Sequence, residues 1–450
     1  MRRILSAAEY TALLLDLSPD QAKEAAHAVA DAVKELMARF GLDRTIILCG
    51  GPMQEIGTVS ADLLETDIAF LSQDQLPDLS DALIVDMLFS PVANEKQETW
   101  IKAMTTSGCP ILSAGIPAGV DPDSGRIGET AVRAQITIAP FAYMRGLFLH
   151  DGLDHGGEIR PVGPEAVVGE GLFRFEADDA RRSLPPRKRT AHKGDSGKAL
   201  LCVGSPRYVG AALLSARACL AAGCGILFVA CPYTVRSTLM IRLPEAIGIP
   251  VGTDWNGDTC DSAVHAMEGM KALGIGCGVG DGDVSSLIEA ALRSKIPLVL
   301  DADGLNCLSR HPELYPLLHE RVILTPHPGE MSRLTGFPAD VVLDDPIAVA
   351  QRYAERWGCT VLLKGAATVV SDGQRTGIVA QGNAGLGKGG SGDVLTGIIT
   401  GLLAQGVEPH EAACLGSFLL GTSAERAFEL LKERMLRAGN VIEALEDWNE

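Results

Sequence analysis

Gly382-Asn383-Ala384-Gly385-Leu386-Gly387-Lys388-Gly389-Gly390-Ser391-Gly392-Asp393 runs directly into the apolar stretch Val394–Ala404. Six of these twelve residues are glycine, and glycine lets main-chain N–H groups approach a ligand closely. A helix that starts at the end of such a loop adds unpaired N–H donors and a positive dipole end, which together suit phosphate. Asp393 would repel bound phosphate unless a proton or a metal intervenes, and a base that deprotonates an attacking hydroxyl meets that condition. The stretch therefore predicts a phosphoryl-transfer site.

Two other interpretations of this loop are weaker. Gly382-x-x-x-x-Gly387-Lys388 comes close to the P-loop pattern, but Gly389 stands where a magnesium-binding Ser or Thr is required. The residues just before it are polar rather than a hydrophobic strand. A flexible glycine linker is the second alternative, and the helix that follows at once argues against it.

Composition limits the possible classes of protein. The chain has 450 residues, 46% of them hydrophobic, which is enough for two or three domains with buried cores. Its 50 glycines and 5% aromatic residues are typical of α/β nucleotide-binding proteins. A net charge of −18 argues against a nucleic-acid partner or an acidic membrane surface. Eleven cysteines without a CxxC pair predict reduced thiols and no structural zinc, and no signal peptide or membrane span is evident. We expect a soluble, cytoplasmic protein.

The chain is expected to form two tandem α/β domains. Residues 176–190 are charged, contain Pro185-Pro186 and lack apolar periodicity, so they predict a linker between domains 1–175 and 191–450. In the first domain, Ser18 and Pro19 predict the start of a helix that ends before Gly41. The predicted strands are short apolar runs between helical stretches, as in a doubly wound sheet, and they are 45–49, 82–85 and 110–113, then 199–203, 226–230, 272–275, 298–300, 322–324 and 360–363.

Polar or glycine-rich residues follow several strands of the second domain. Gly276–Gly280, Asp301-Ala302-Asp303, Thr325–Glu330 and Lys364 each come directly after a predicted strand. Ligands of such sheets bind at the carboxyl ends of the strands. Any one of these residues alone could be a turn, a helix cap or a solvated charge, but their repetition after successive strands predicts a site.

The motifs of this domain resemble those of the NAD(P)H-hydrate dehydratase family. The resemblance covers about residues 190–430, and it rests on His192-Lys-Gly-Asp-Ser-Gly, Leu300-Asp-Ala-Asp, Leu324-Thr-Pro-His-Pro-Gly-Glu, Leu363-Lys-Gly-Ala and Gly389-Gly-Ser-Gly-Asp-Val-Leu. It implies a ribokinase-like fold and a hydrated NADH or NADPH as substrate. ADP, or alternatively ATP, is the implied co-substrate, and AMP and phosphate are the products with ADP.

The resemblance gives this reaction a chemical logic. Hydroxide is a poor leaving group, and transfer of a phosphoryl group to the ring hydroxyl converts it into a good one. Asp393 is the implied base that accepts the hydroxyl proton. Mg²⁺ is also implied, and Asp301, Asp303 and Glu330 are candidates for its ligands or for ordinary capping.

The remaining implied site residues fall into two groups, which would bind the two small molecules. The nucleotide group comprises Lys364, Gly365, Ala366, Ala367, Thr368, Asn383, Lys388, Gly389, Gly390, Ser391 and Gly392. The substrate group comprises Ala211, Gly278, Gly280, His327 and Asp393.

The first domain resembles NAD(P)H-hydrate epimerase over about residues 10–165, which implies a Rossmann-like three-layer αβα sheet. Matching motifs begin at Ala82, Ile116 and Ala131. The glycine–asparagine loop of that family is replaced by Gly51-Pro-Met-Gln-Glu-Ile-Gly57, and Gly115 and Ala118 replace an Asp and a Ser. Asp86 remains from the potassium site, but a single ligand would not hold the ion. The hypothesis is a domain that folds without epimerising and serves packing or homo-oligomerisation.

Two other functions stay open. One is an ATP-dependent ribokinase-like kinase of a small hydroxylated vitamin precursor, which would release a stable phosphorylated product. The other is a non-catalytic sensor of adenine nucleotides, which would have no use for a base at Asp393.

Overall fold

The computed structural model describes residues 1–73, 75–89, 95–163, 171–186, 189–190, 192–431 and 433–447. They fall into two compact units. The first holds the described residues up to 163 together with Leu172–Arg174, and the second runs onward from Phe175. The expected fold class, two α/β domains in tandem, is confirmed.

The first unit contains a six-stranded parallel sheet in the order β3-β2-β4-β5-β6-β8. β1 pairs with β7 in parallel and with β9 antiparallel. The strands are β1 (Arg2–Leu5), β2 (Thr45–Cys49), β3 (Asp67–Phe70), β4 (Leu83–Met87), β5 (Ile111–Ala114), β6 (Ile136–Pro140), β7 (Tyr143–Met144), β8 (Glu158–Val162) and β9 (Gly171–Arg174). The helices are α1 (Ala7–Leu15), α2 (Pro19–Phe40), α3 (Gln54–Leu64), α4 (Glu95–Thr106) and α5 (Gly152–His155).

Helix α2 forms as its sequence predicts. The Ser18 side chain accepts a hydrogen bond from the Gln21 N–H, and the Gln21 side chain returns one to the Ser18 N–H. Pro19 occupies the first turn, and Gly41 ends the helix with a left-handed φ of 68°. The alanine-rich buried face of α2 packs on β4, β5, β6 and β8. On one face of the sheet, Ile46 and Ile84 pack with Trp100 of α4.

The second unit contains nine strands in the order β12-β11-β10-β13-β14-β15-β16-β17-β18. The strands up to β16 are parallel, and β17 and β18 are antiparallel. They are β10 (Lys198–Cys202), β11 (Ile226–Cys231), β12 (Ile247–Pro250), β13 (Ala272–Ile275), β14 (Leu298–Leu300), β15 (Val322–Leu324), β16 (Thr360–Leu363), β17 (Thr368–Ser371) and β18 (Arg375–Val379). All six strands predicted for this domain are therefore present.

The helices of this unit are α6 (Ala177–Ser183), α7 (Val209–Ala221), α8 (Tyr233–Arg242), α9 (Gly257–Ala266), α10 (Ser285–Ser294), α11 (Asp303–Arg310), α12 (Pro328–Thr335), α13 (Ala339–Asp344), α14 (Pro346–Trp357), α15 (Ser391–Ala404), α16 (Pro409–Leu431) and α17 (Ala438–Glu446). None of the described helices in either unit is long and apolar enough to cross a membrane. Helix α15 confirms the helix that was predicted to follow the glycine loop.

The predicted linker is only partly a linker. Its first half forms α6, which packs on α16 and buries Asp179 and Ala180. The sequence analysis missed this helix because seven residues are too few to show an apolar periodicity. Residues 187, 188 and 191, at the end of the linker and the start of the predicted second domain, lie outside the described part of the chain.

Candidate active site

The candidate site of the second unit lies at one edge of its sheet. Strands β10, β13, β14, β15 and β16 are parallel neighbours, so their carboxyl ends share an edge. The chain leaves these strands through Ser205, the Gly276–Gly280 loop, Asp301, His327 and Lys364. The motif that begins at His192 precedes β10 and therefore lies at the opposite edge. There, an added Cβ at Gly197 would come within 1.8 Å of the Ala404 carbonyl, at the far end of α15.

Helix α15 carries Asp393 in its first turn. The helix follows Gly390, whose φ of 102° is in the region that favours glycine. A Cβ on Gly390 would also lie only 2.8 Å from Leu214 Cδ1. Every residue of the helix from Val394 to its end is buried, so Asp393 and the N–H groups of the first turn have a rigid support. The predicted loop-to-helix site is thus present, with the positive end of the helix dipole beside the carboxylate.

The environment of Asp393 favours its protonated form more than water does. Burial raises the pKa of Asp393 to about 6, and the negative charge of Asp301 adds to the rise. A hydrogen bond from the Cys277 thiol and the charge of Lys364 partly offset this shift. A carboxylate with a pKa close to neutral can accept a proton from a substrate and later release it.

Asp301 is the buried anion beside Asp393, and only 2% of its surface is exposed. Its Oδ1 accepts a hydrogen bond from Lys364 Nζ at 2.8 Å, and its Oδ2 accepts one from Thr396 Oγ1 at 2.8 Å. Burial alone would raise the pKa of Asp301. The charge of Lys364 and these hydrogen bonds outweigh it, so the pKa lies below its ordinary value. Asp301 is therefore a charged, fully engaged side chain.

Lys364 and His327 are linked through Glu330, which is buried. Glu330 Oε2 accepts a hydrogen bond from the His327 N–H at 2.8 Å and lies 3.7 Å from Lys364 Nζ. Burial would lower the pKa of Lys364, but the charges of Asp301 and Glu330 raise it. His327 is the N-cap of α12, and its half-exposed imidazole accepts a hydrogen bond from the Gly329 N–H at 3.0 Å. Asp301 and Glu330, candidate magnesium ligands in the sequence, are thus held by neighbouring groups of the protein.

The predicted substrate-binding residues Ala211, Gly278 and Gly280 lie together. A Cβ on Gly278 would come within 2.6 Å of Ala211 Cβ, so the two residues are in contact. The Gly280 N–H donates to Asp303 Oδ2 at 2.6 Å. Asp303, the third candidate magnesium ligand, is therefore also held by a donor of the protein.

A serine that the sequence analysis missed lies beside these residues. Ser205 is 4% exposed, its Oγ lies next to Gly280, and the hydroxyl finds no hydrogen-bond partner among the described residues.

The turn between Asp301 and Asp303 is strained. Ala302 has φ 48° and ψ −115°, outside the regions that alanine normally adopts. Such a conformation costs on the order of 1–3 kcal/mol and persists only where surrounding contacts determine it. The Ala302 conformation directs Asp301 toward Lys364 and Asp303 toward the Gly280 N–H. Strain of this kind is frequent at functional sites.

The predicted nucleotide-binding residues have different placements. Gly392 lies next to Lys364 and Asp301, because its added Cβ would be 3.6 Å from Lys364 Nζ and 3.5 Å from Asp301 Oδ2. The remaining residues of the Lys364–Thr368 segment form the turn from β16 to β17, with Gly365 and Ala366 exposed. Gly389 is exposed, and a Cβ added to it would meet no atom within 4 Å. Ser391 is the first residue of α15.

Asn383 and Lys388 make internal contacts instead. Asn383 accepts from the Gly385 N–H and donates to the Ala424 carbonyl, while Lys388 Nζ donates to the carbonyls of Arg434 and Leu436 at 2.7 Å. Their role beside phosphate stays a prediction.

Comparison with known proteins identifies the family. The family described as NAD(P)H-hydrate dehydratase matches residues 199–445, and the YjeF-related protein N-terminus matches residues 59–146. The bifunctional NAD(P)H-hydrate repair enzyme of Moorella thermoacetica is 33% identical over 402 residues, which are 85% of this chain and 74% of that protein. This chain belongs to the family of bifunctional NAD(P)H-hydrate repair enzymes. It is therefore an enzyme of NAD(P)H-hydrate repair, and its second unit belongs to a family of carbon–oxygen lyases.

Further relatives agree with this assignment. The repair enzyme of Vibrio cholerae is 31% identical over 389 residues, 84% of this chain and 76% of that protein. The ADP/ATP-dependent NAD(P)H-hydrate dehydratase of Bacillus subtilis, co-crystallised with ATP and Mg²⁺, is 29% identical with a TM-score of 0.52. The similarity covers 61% of this chain and 96% of that one. A ribokinase-like protein of Enterococcus faecalis, 24% identical with a TM-score of 0.55 over 63% of this chain and 97% of that one, shares the fold.

In the first unit, hydrophobic side chains surround Gly115, one of the positions at which the sequence departs from the epimerase motif. Gly115 has a φ of 88°, and its added Cβ would lie 3.0 Å from Met144 Cε and 3.2 Å from Met53 Cε. Both methionines and nearby Tyr10 are fully buried. Met53 comes from the segment that replaces the family's glycine–asparagine loop, and it ends a short 3₁₀ helix. The surroundings of Gly115 are therefore apolar, at a position where the family resemblance predicts an aspartate.

Asp86 is engaged by the protein itself. Its carboxylate accepts hydrogen bonds from the Leu88 N–H, the Ser113 hydroxyl and the Ala118 N–H, at 2.8–3.1 Å. Burial raises the pKa of Asp86, although these hydrogen bonds oppose the rise. A potassium ion would have to compete with three donors for this carboxylate.

Proposed function

We propose that the second unit dehydrates (S)-NAD(P)H hydrate to NADH or NADPH, using ADP and releasing AMP and phosphate. We further propose that the first unit does not epimerise the hydrate. The observation that carries the dehydratase proposal is Asp393, a carboxylate with a pKa near neutral, placed where a glycine loop meets a helix N-terminus. Membership in the dehydratase family supplies the substrate class.

The chemistry assigns Asp393 to the first step. Its carboxylate accepts the proton of the ring hydroxyl as that oxygen bonds to the terminal phosphorus of ADP, and the bond from this phosphorus to the AMP oxygen breaks. The nitrogen lone pair of the ring then expels phosphate from the neighbouring carbon. Loss of a proton from the adjacent carbon forms the C=C bond of NADH or NADPH. The first-turn N–H of Gly392 would stabilise charge on the transferred group, whereas the Ser391 N–H donates to the Lys388 carbonyl at 3.4 Å.

The three carboxylates that could hold magnesium do not form a ready metal site, because Asp301, Asp303 and Glu330 are each held by donors of the protein. The Bacillus subtilis relative was co-crystallised with ATP and Mg²⁺, which supports a nucleotide–magnesium complex as co-substrate here. We assign no protein ligand to that ion.

Lys364 positions the base through Asp301. Its ammonium group keeps Asp301 charged, and Asp301 in turn raises the pKa of Asp393. We therefore place Lys364 next to the transferred phosphoryl group and the base, with the turn Gly365–Thr368 against the nucleotide.

Ser205 supports the proposed position of the hydrated dinucleotide. A buried hydroxyl without a partner costs about 1–3 kcal/mol, and Ser205 Oγ lies beside Gly280 of the proposed substrate segment. We infer that its Oγ hydrogen-bonds to the bound dinucleotide near Ala211, Gly278 and Gly280. His327 would contact the same molecule from the start of α12.

The dehydratase proposal is tested by incubating the full-length protein with NADH hydrate and either ADP or ATP, while the near-ultraviolet absorbance of NADH and the products are followed. We expect NADH, AMP and phosphate with ADP. Asp393→Asn should lower turnover by about 10²–10⁴-fold while nucleotide affinity is kept. A stable phosphorylated metabolite and no NADH would instead indicate a kinase. Unchanged turnover in Asp393→Asn would contradict the role of the base.

The loss of epimerase activity is supported by the buried methionines around Gly115 and by the internal hydrogen bonds of Asp86. The full-length protein without nucleotide should not speed the interconversion of purified R and S hydrates, measured by chromatography. Acceleration above the spontaneous rate would refute this part of the proposal alone. A homo-oligomer and a cytoplasmic location remain predictions, which sedimentation and cell fractionation would check.

A further inference from the structure

A second group of potential ligands lies outside the proposed site in the second unit. The side chains of Asp283, Cys307 and His311 each present one ligand atom, and these atoms lie within 4.8 Å of one another. Cys307 Sγ is 3.9 Å from Asp283 Oδ1. Cys307 lies in the second half of α11, and His311 is the residue that follows the end of this helix. The fold thus collects an oxygen, a sulfur and a nitrogen donor.

We propose that Asp283, Cys307 and His311 bind one Zn²⁺ ion. Thiolate and imidazole ligands favour zinc over magnesium or calcium, which prefer oxygen ligands. Three protein ligands also leave a fourth position for water, as tetrahedral zinc allows. A second thiol, Cys260, is adjacent, because its Sγ lies 3.7 Å from the Asp283 carbonyl oxygen.

Contacts around the cluster support this assignment. His311 Nδ1 lies 2.9 Å from Glu313 Oε1, and zinc-binding histidines commonly donate one ring N–H to a carboxylate while the other nitrogen binds the metal. Asp283 Oδ1 accepts a hydrogen bond from the Ser285 N–H at 2.9 Å, which orients the carboxylate. Both contacts are of the kind that orients metal ligands.

The charges of the cluster are compatible with the cation. Cys307 would bind zinc as a thiolate, so its proton passes to solvent as the S–H bond is replaced by a sulfur–zinc bond. The Cys307 thiolate and the Asp283 carboxylate together supply two negative charges, against the single positive charge of neighbouring Arg310.

Zinc at this position would connect two parts of the proposed active site. Asp283 lies just beyond the loop that carries Gly278 and Gly280, and Cys307 lies on the helix that begins at Asp303. The Gly280 N–H already donates to Asp303 Oδ2 at 2.6 Å. A zinc ion would add a second link between the loop and α11. We therefore expect it to slow hydrogen exchange in residues 276–284 and to raise the melting temperature.

The test uses the full-length protein after treatment with a chelator. Isothermal titration and native mass spectrometry should show one tightly bound Zn²⁺ ion that excess Mg²⁺ does not displace. Asp283→Asn and His311→Gln should each weaken zinc binding at least about tenfold. Both side chains are at least partly exposed, so the variants should fold. His265→Gln, at an exposed histidine on α9, is the matched control and should bind zinc like the wild type.

Cobalt reports the ligands directly. Co²⁺ bound to the wild type should give a thiolate-to-cobalt absorption band, which Cys307→Ser should remove and Cys109→Ser should leave. The proposal is overturned if the wild type binds no zinc, or if Asp283→Asn and His311→Gln bind it as tightly as His265→Gln does. Dehydratase activity is not part of this test, so its outcome is independent of the proposed function.

Discussion

Replacing Lys364 with methionine would remove the partner of a buried carboxylate. Lys364 Nζ and Asp301 Oδ1 are 2.8 Å apart, and Asp301 is 2% exposed. At an effective dielectric constant of about 20, two unit charges at this distance attract by about 6 kcal/mol. Part of this attraction only offsets the cost of desolvating Lys364, and the variant does not pay that cost. We expect Lys364→Met to lower the free energy of unfolding of the second unit by about 3–5 kcal/mol, as for other broken buried pairs.

The pH dependence of the loss follows from the pKa of Asp301. This pKa is depressed in the folded protein, so the pair stabilises the protein above the unfolded pKa of aspartate and loses that effect as pH falls through the folded pKa. The difference between wild type and variant should therefore be largest at neutral pH and shrink in acid. Native-state hydrogen exchange of the β14 amides reports the second unit alone.

Two further variants make the reasoning refutable. Lys271→Met removes an exposed lysine and should change stability by less than about 0.5 kcal/mol. Lys364→Met combined with Asp301→Asn should be more stable than Lys364→Met alone, because no unpaired charge remains buried. A loss below about 1 kcal/mol in Lys364→Met, or a double variant no more stable than the single one, would show that the pair is not the buried interaction described here.

Three other predictions concern the two sites. Wild-type turnover should rise with pH through about 6 as Asp393 loses its proton, which a pH–rate profile would show. Ser205→Ala should raise KM for the hydrate by about 2- to 10-fold with little change in kcat or thermal stability, since the lost hydrogen bond is to the substrate. Gly115→Asp should destabilise the first unit by at least about 2 kcal/mol without epimerase activity, because the new side chain meets buried methionines. Its control in calorimetry, Gly108→Asp, shares a positive φ but has open space around it.

The placement of the site at the strand ends could be predicted without the structure. Buried strands and the polar residues after them appear in the order of the chain, and parallel strands bring those ends to one edge. The state of the side chains could not be predicted. Asp301 and Glu330 fit the composition of a magnesium site, but Lys364, Thr396 and a main-chain N–H occupy their oxygens. That pairing depends on the order of β14, β15 and β16 in the sheet.

The first unit shows the same limit. The missing polar residues predict that the epimerase chemistry is lost, but they do not show which side chains surround the changed positions. Tyr10, Met53 and Met144 come from three distant parts of the chain and become neighbours only when the sheet forms. Likewise, the lack of metal-ligand spacing along the chain predicted no zinc site. The spacing along the chain also gave no sign that the ligand atoms of Cys307 and His311 lie within 4.8 Å of that of Asp283. Zinc binding by these residues is a proposal.

The amino-acid sequence by itself determined helices such as α2, half of the described strands and the loop that presents Asp393. These features depend on residues within one or two turns of each other, such as Ser18 with Gln21 or Gly390 with the helix after it. Only the tertiary structure decided the charge of Asp301, the pKa of Asp393 and the burial of Ser205. Each of these depends on desolvation and on partners far away in the chain, and both arise only when the sheet brings its loops together.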